Sequence, residues 1–195
     1  MIYNQPSWRP NISEICCYFY KLGEKYPMSK SLTTINILSV EDAIREHKSK
    51  YGDKKLAWNS FKYHSAINVI ARYWVGYYYY HHDDDIPELK SINPEERNAY
   101  AVHIFKETAN KGNTSAQFRY GIHLWESEKH TKAIKYLEMS ADAGDPDAMY
   151  NLWKAYWKGV NGIEPNKEKA ADYLRLAASK NNPKAIEMLN NIDIV

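Results

Sequence analysis

Apolar residues recur between Ala57 and Asn191 at the three- and four-residue spacing of an amphipathic α-helix, and the same helix is written more than once. In the segment Lys132 to Gly144, Ala133, Tyr136, Leu137, Ala141 and Gly144 align with Ala170, Tyr173, Leu174, Ala178 and Asn181. Ala101, Ile104, Phe105, Ala109 and Gly112 follow the same spacing, which makes three copies. Offsets 0, 3, 4 and 8 lie on one helix face, and a Gly or Asn at offset 11 suits the left-handed residue that closes a helix. A second helix follows at a constant distance: Ala101 to Ala116, Ala133 to Ala148 and Ala170 to Ala185 are each 15 residues apart. Asn93-Pro94, Asp145-Pro146 and Asn182-Pro183 supply helix starts, with the polar residue as N-cap and Pro at the first helical position. An earlier, degenerate copy runs through Ala57, Trp58 and Phe61, with Ala71 following after 14 residues. Gly76 and Gly121 stand five positions after Ala71 and Ala116, where a small residue permits close helix approach. Trp153 takes that place after Ala148 and speaks against close approach there.

Tyr73 to Tyr80, with four consecutive tyrosines, has strand propensity. The repeat register overrides it, since Ala71, Val75, Gly76 and Tyr79 hold the places of Ala116, Tyr120, Gly121 and Leu124; a helix is predicted. Towards the N-terminus, Ile12, Ile15, Cys16, Phe19 and Leu22 form a helical stripe after Pro10 that ends near Gly23 and Pro27. Pro27 to Ser39 reads as a linker with a short apolar patch at Ile35, Ile37 and Leu38. Ser39 then caps a helix from Val40 to Tyr51, supported by Glu41–Arg45 and Glu46–Lys50 pairs and stopped by Gly52. The expected organisation is a first helix in residues 1–27, a linker and helix in 28–55, and a repeat array in 56–195.

Ala148, Leu152, Tyr156, Gly159, Gly162, Ile163, Asn166, Lys169-Ala170, Tyr173 and Ala177-Ala178 together resemble the Sel-1-like repeat, a cousin of the tetratricopeptide repeat. The resemblance runs from about Ala57 to Asn191, and its most specific part is the Gly-x-x-Gly-Ile-x-x-Asn-x-x-Lys-Ala segment from Gly159 to Ala170. It implies an all-α fold of antiparallel helix pairs stacked into a right-handed superhelical solenoid, serving as a protein-binding scaffold. Pro6-x-x-Arg9-Pro10-x-x-x-Glu14-Ile15 resembles the last helix segment of a protein kinase of the tyrosine-kinase-like group. The Gly-rich loop, strand lysine, His-Arg-Asp, Asp-Phe-Gly and Ala-Pro-Glu motifs are all missing, so kinase activity is not expected. The order of kinase tail, linker and repeats resembles the kinase-plus-repeat families of arbuscular mycorrhizal fungi. That order implies an alternative role, a truncated regulatory tail acting on a kinase in trans.

Composition adds mostly exclusions. The chain has 195 residues and a net charge of +2 from near-balanced acids and bases, which gives no reason to expect nucleic acid or an anionic membrane as partner. No run approaches the ~18 apolar residues of a membrane span, and Met1 to Pro6 lacks the pattern of a secretory leader. Cys16 and Cys17 are neighbours, which suits neither an ordinary disulfide nor a four-ligand zinc site. A soluble, cytoplasmic protein without metal or cofactor is expected. His81-His82-Asp83-Asp84-Asp85 reads as a solvated loop, because consecutive side chains rarely converge on one ion. Cys16 and Ser65 have no activating base in a recognisable motif, so no catalytic residue is assigned.

What does stand out is 17 Tyr, 6 Trp and 4 Phe. If Gly121 marks the small position of a tetratricopeptide-like first helix, offsets 2, 6 and 9 from the leading alanine face a concave groove. These are Tyr73, Tyr77 and Tyr80; Phe118, Ile122 and Trp125; and Tyr150, Lys154 and Trp157, seven of nine being aromatic. Such a stripe suits an extended peptide or partner helix, whereas packing on the neighbouring repeat is the plainer use of the same rings. Tyr79, Tyr120, Tyr136, Tyr156 and Tyr173 are expected in the core. The predicted function is a non-catalytic scaffold or adaptor in signalling, with a protein or peptide as partner and a protein kinase among the candidates.

Overall fold

The computed structural model describes residues 36–81, 86–160 and 162–191. The kinase-like segment, the Ile12–Leu22 stripe, the cysteine pair and His82 to Asp85 lie outside the described residues. Ten helices follow one another among those described: α1 (Val40–Lys48), α2 (Lys54–His64), α3 (Val69–His81), α4 (Pro87–Lys90), α5 (Pro94–Asn110), α6 (Thr114–Glu126), α7 (His130–Asp142), α8 (Pro146–Lys158), α9 (Lys167–Ser179) and α10 (Pro183–Asn191). The tyrosine run is helical, as its register predicts.

The turns show why the helices start and stop where they do. Lys111–Asn113, Ser127–Lys129, Ala143–Asp145 and Lys180–Asn182 are three-residue connections of one design. Gly112, Glu128, Gly144 and Asn181 sit in the middle at φ 85°, 58°, 94° and 62°. The N–H of the next residue then reaches back five positions to a helix carbonyl: Asn113 to Thr108, Lys129 to Leu124, Asp145 to Ser140 and Asn182 to Ala177, at 2.9–3.1 Å. In three of the four turns that same residue caps the following helix with its side chain. Asn113 Oδ1 accepts from Ala116 N, Asp145 Oδ1 from Asp147 N and Ala148 N, and Asn182 Oδ1 from Ala185 N. One residue thus closes one helix and opens the next, which reverses the chain in the fewest steps.

Each main helix packs on the ones before and after it in sequence, and α3 meets α5 across the short α4. The fold is an all-α solenoid of antiparallel helix pairs, and the described residues from Ile37 onward, α1 included, form one compact unit. Ala101, Ala116, Ala133, Ala148, Ala170 and Ala185, which define the repeat spacing, are all fully buried. Buried apolar residues form adjoining clusters from α1 to α10. The first is centred on Trp58, Phe61 and Tyr78, the last on Leu137, Leu152 and Leu174. The backbones of α3 and α6 come so close to their partners that an added Cβ on Gly76 would lie 2.8 Å from Ile104 Cγ2, and one on Gly121 would lie 3.0 Å from Leu137 Cδ2. Trp153, at the matching place of α8, is nonetheless buried in the core.

Three expectations are corrected. Helix α1 ends at Lys48 rather than Tyr51, because Ser49 turns extended and Glu46 accepts from Asp53 N at 2.6 Å instead of pairing with Lys50. Arg45 pairs with Asp42 rather than Glu41. The five tyrosines expected in the core are half-buried. Two of their hydroxyls reach polar groups: Tyr136 donates to Asn110 Oδ1 at 2.8 Å and Tyr156 to Glu138 Oε1 at 2.9 Å. Among the described residues, Tyr78 is the tyrosine with no exposure, and its hydroxyl donates to Lys54 O at 3.2 Å. The region after α3 also carries an unforeseen short helix, α4, whose Leu89 and preceding Ile86 close the first core.

Candidate functional site

The nine stripe residues lie on α3, α6 and α8, the first helices of three successive pairs, and these helices treat them differently. Tyr73 is a correction: its ring is buried against Phe105, with centroids 5.8 Å apart, and cannot be offered to a partner. Burial pushes its hydroxyl pKa up, against the pull of the Arg119 guanidinium. Tyr77 is half-buried, 4.2 Å from the His81 ring, with Arg119 5.4 Å over its face. Tyr80 turns toward α5, packs on Phe105 at 5.8 Å and borders a hollow of about 430 Å³ with Pro94, Glu95 and Asn98.

The second and third pairs make a more concentrated site. Phe118, Ile122, Trp125, Tyr150 and Trp157 are half-buried, each resting one side on the α7–α10 core. Ile122, Trp125 and Lys154 line a single pocket of about 230 Å³ together with Leu137, Asn151, Lys158, Gly159 and Val160. Lys154 is exposed and its ammonium lies 5.2 Å over the Tyr150 ring, while Lys167 covers Trp157 at the same distance. Partial burial, with Lys184 and Lys158 close by, lowers the pKa of Lys154.

The structure therefore brings Ile122, Trp125 and Lys154 together, keeps Phe118, Tyr150 and Trp157 on the same core, and sets Tyr73 and Tyr80 apart from them. Arg119, Asn151 and Lys158 were not anticipated. Lys158 follows Lys154 by four residues, a spacing that places both on one helix face but falls outside the offsets 2, 6 and 9 that defined the stripe. Away from the pocket, Lys169 donates to Glu138 Oε1 and Tyr156 Oη, both at 2.8 Å. Burial opposes its charge, but these two partners raise its pKa, and the cluster ties α9 to α7. Among the described residues no three His, Cys, Asp or Glu side chains are placed to hold a metal ion. No described helix is long and apolar enough to cross a membrane.

The model of the Sel1 repeat matches residues 69–113, 114–145 and 146–182, more than half of the chain. The chain belongs to the Sel1 repeat family. Its three matched units are the pairs α3–α5, α6–α7 and α8–α9, so the pocket lies where the second Sel1 repeat meets the third. Among curated proteins, the chain is 33% identical over 105 residues to mouse DAP3-binding cell death enhancer 1, covering 52% of this chain and 20% of that protein. The rat protein of the same name is 32% identical over 103 residues, covering 51% and 19%. The chain thus spans about a fifth of the length of these relatives. Among solved structures, a protective antigen of uropathogenic Escherichia coli with an SLR fold superposes at TM-score 0.60 and 19% identity, covering 74% of this chain and 31% of that one. A Sel1 repeat protein of Oxalobacter formigenes gives 0.57 and 20%, covering 75% and 55%. Both show the same solenoid fold.

Proposed function

We propose that this Sel1 repeat chain is a non-catalytic scaffold that holds a partner protein or peptide along α3, α6 and α8, in a signalling setting. The observation that carries the reading is the half-buried strip of Phe118, Trp125, Tyr150 and Trp157, whose rings rest on a rigid core while leaving a face and a pocket open. Large rings held this way present contact area at little entropic cost. That the mouse relative is by its name DAP3-binding supports a protein as partner. Near-balanced charge favours neither nucleic acid nor a membrane surface.

The test is partner capture from the native organism, read by mass spectrometry, with the wild-type chain beside the double variant Tyr77→Ala, Trp125→Ala. The variant should lose captured proteins while keeping the helical circular dichroism of the wild type. Equal capture by both would remove the strip from the function. A second reading, a regulatory tail acting on a kinase in trans, is supported by the kinase-like pattern Pro6 to Ile15 alone.

A further inference from the structure

If the chain is a protein-binding scaffold, the chemistry of one pocket specifies the kind of segment it holds. The pocket between α6 and α8 is lined by the apolar groups of Ile122, Trp125, Leu137 and Val160, and its volume of about 230 Å³ falls below the ~300–1,000 Å³ typical of small-molecule sites. It has room for one medium-sized side chain. Lys154 and Lys158, one helical turn apart, line the same pocket, and Lys184 at the start of α10 is near enough to act on Lys154. Other lysines of the stack have carboxylate partners: Lys62 with Glu88, Lys111 with Glu107 and Lys169 with Glu138. Among the described residues no carboxylate forms an ion pair with Lys154, Lys158 or Lys184. Asp147, at the first turn of α8, already accepts from Asn182 Nδ2 at 2.8 Å. Two like charges line this apolar pocket, with Lys184 close to one of them; they repel one another in the free chain, and a negatively charged ligand relieves that repulsion.

We propose that this pocket seats one aliphatic side chain of an acidic peptide segment, whose flanking carboxylates pair with Lys154, Lys158 and Lys184. A nucleic-acid phosphate would answer the lysines and leave the apolar pocket unfilled. A neutral peptide would fill the pocket and leave the lysines in mutual repulsion. Only the combination uses both features.

The experiment is selection of a displayed library of random ten-residue peptides on the full chain, followed by anisotropy with a labelled peptide from the bound pool. The pool should be enriched in Asp and Glu around a Leu, Ile or Val. The triple variant Lys154→Glu, Lys158→Glu, Lys184→Glu should bind the acidic probe at least tenfold more weakly. A charge-matched control, Lys106→Glu, Lys135→Glu, Lys180→Glu, changes exposed lysines elsewhere and should bind within twofold of wild type. Circular dichroism verifies that both variants fold. A pool without acidic bias, or equal weakening by both triple variants, overturns the acidic-peptide proposal and leaves the scaffold reading standing. A library from which nothing is enriched also overturns it, and the scaffold reading is then judged separately by partner capture with the wild-type chain. Displacement of the probe by a single-stranded oligonucleotide at equal concentration would overturn it in favour of phosphate recognition.

Discussion

Gly76 shows how a single missing methyl sets the distance between two helices. A Cβ there would sit 2.8 Å from Ile104 Cγ2 and 3.2 Å from Phe105 Cε1, against a β-branched side chain with little freedom to move. Alanine favours the helix by about 1 kcal/mol, but overpacking a filled core costs about 1–3 kcal/mol, so Gly76→Ala should lower stability by about 1 kcal/mol in urea denaturation. Glu88 acts through charge instead. The Lys62 ammonium and then the Trp58 indole N–H, both at 2.9 Å, hold its carboxyl at a pKa of about 2, below the usual 4.5. A depressed carboxylate pKa stabilises above the unfolded value and loses that effect as the pH falls through the folded one. Glu88 is largely exposed, so the contribution is under about 1 kcal/mol. Glu88→Gln should show that small deficit in urea melts at pH 7, and the deficit should shrink as the pH falls from about 4.5 toward 2.

The three-residue turn is the device on which the helix pairs depend, and one of the four is imperfect. In the turn between α6 and α7, Glu128 occupies the left-handed position at φ 58°, and Lys129 starts α7 without a side-chain cap. The other turns have Gly or Asn at the first place and Asn or Asp at the second. Relief of the left-handed strain and a working N-cap are each worth about 1 kcal/mol. Glu128→Gly with Lys129→Asp should therefore raise the midpoint of urea unfolding by the equivalent of about 1–2 kcal/mol. An unchanged midpoint would show that the present turn carries no strain. The pattern Gly112, Gly144 and Asn181 was legible from sequence because backbone conformation at a helix end is decided locally. Glu128 was not, since glutamate carries no mark of a left-handed turn.

Across the whole molecule, each Sel1 repeat is stabilised by its neighbours, as where Tyr136 reaches back to Asn110 and Lys169 to Glu138, and specific links also tie the helices within each repeat. Ser140 Oγ donates to Thr114 O at 3.1 Å, Arg72 pairs with Glu107 at 3.1 Å, and the buried Asn182 caps α10 while donating to Pro146 O at 3.3 Å and to Asp147. In such an array a local loss propagates inward from the nearest end. Asn182→Ala removes a cap, leaves the buried Ala185 N–H unpaired and breaks the hydrogen bonds to Pro146 and Asp147, a loss of about 1–3 kcal/mol. Amide hydrogen exchange should speed up most in α10, less in α8 and α9, and little in α3. Uniform acceleration through all repeats would instead mean that the stack unfolds as one unit.

The positions of the repeat helices, most of their caps, the repeat length and the alanines at helix contacts were determined by the sequence itself, because each depends on residues within a few positions along one helix or turn. The division of the aromatics was decided only by tertiary structure. Tyr73 and Tyr77 share one helix face and one spacing. One is buried against Phe105 and the other lies half-open beneath Arg119, because α3 is flanked by α2 on one side and by α5 and α6 on the other. The placement of Lys154 and Lys158 on the Ile122–Trp125 pocket, with Lys184 close to Lys154, belongs to the same class. Lys184 is 26 residues beyond Lys158 in the chain, and only the stacking of α10 onto the preceding pair brings its charge to bear on the groove.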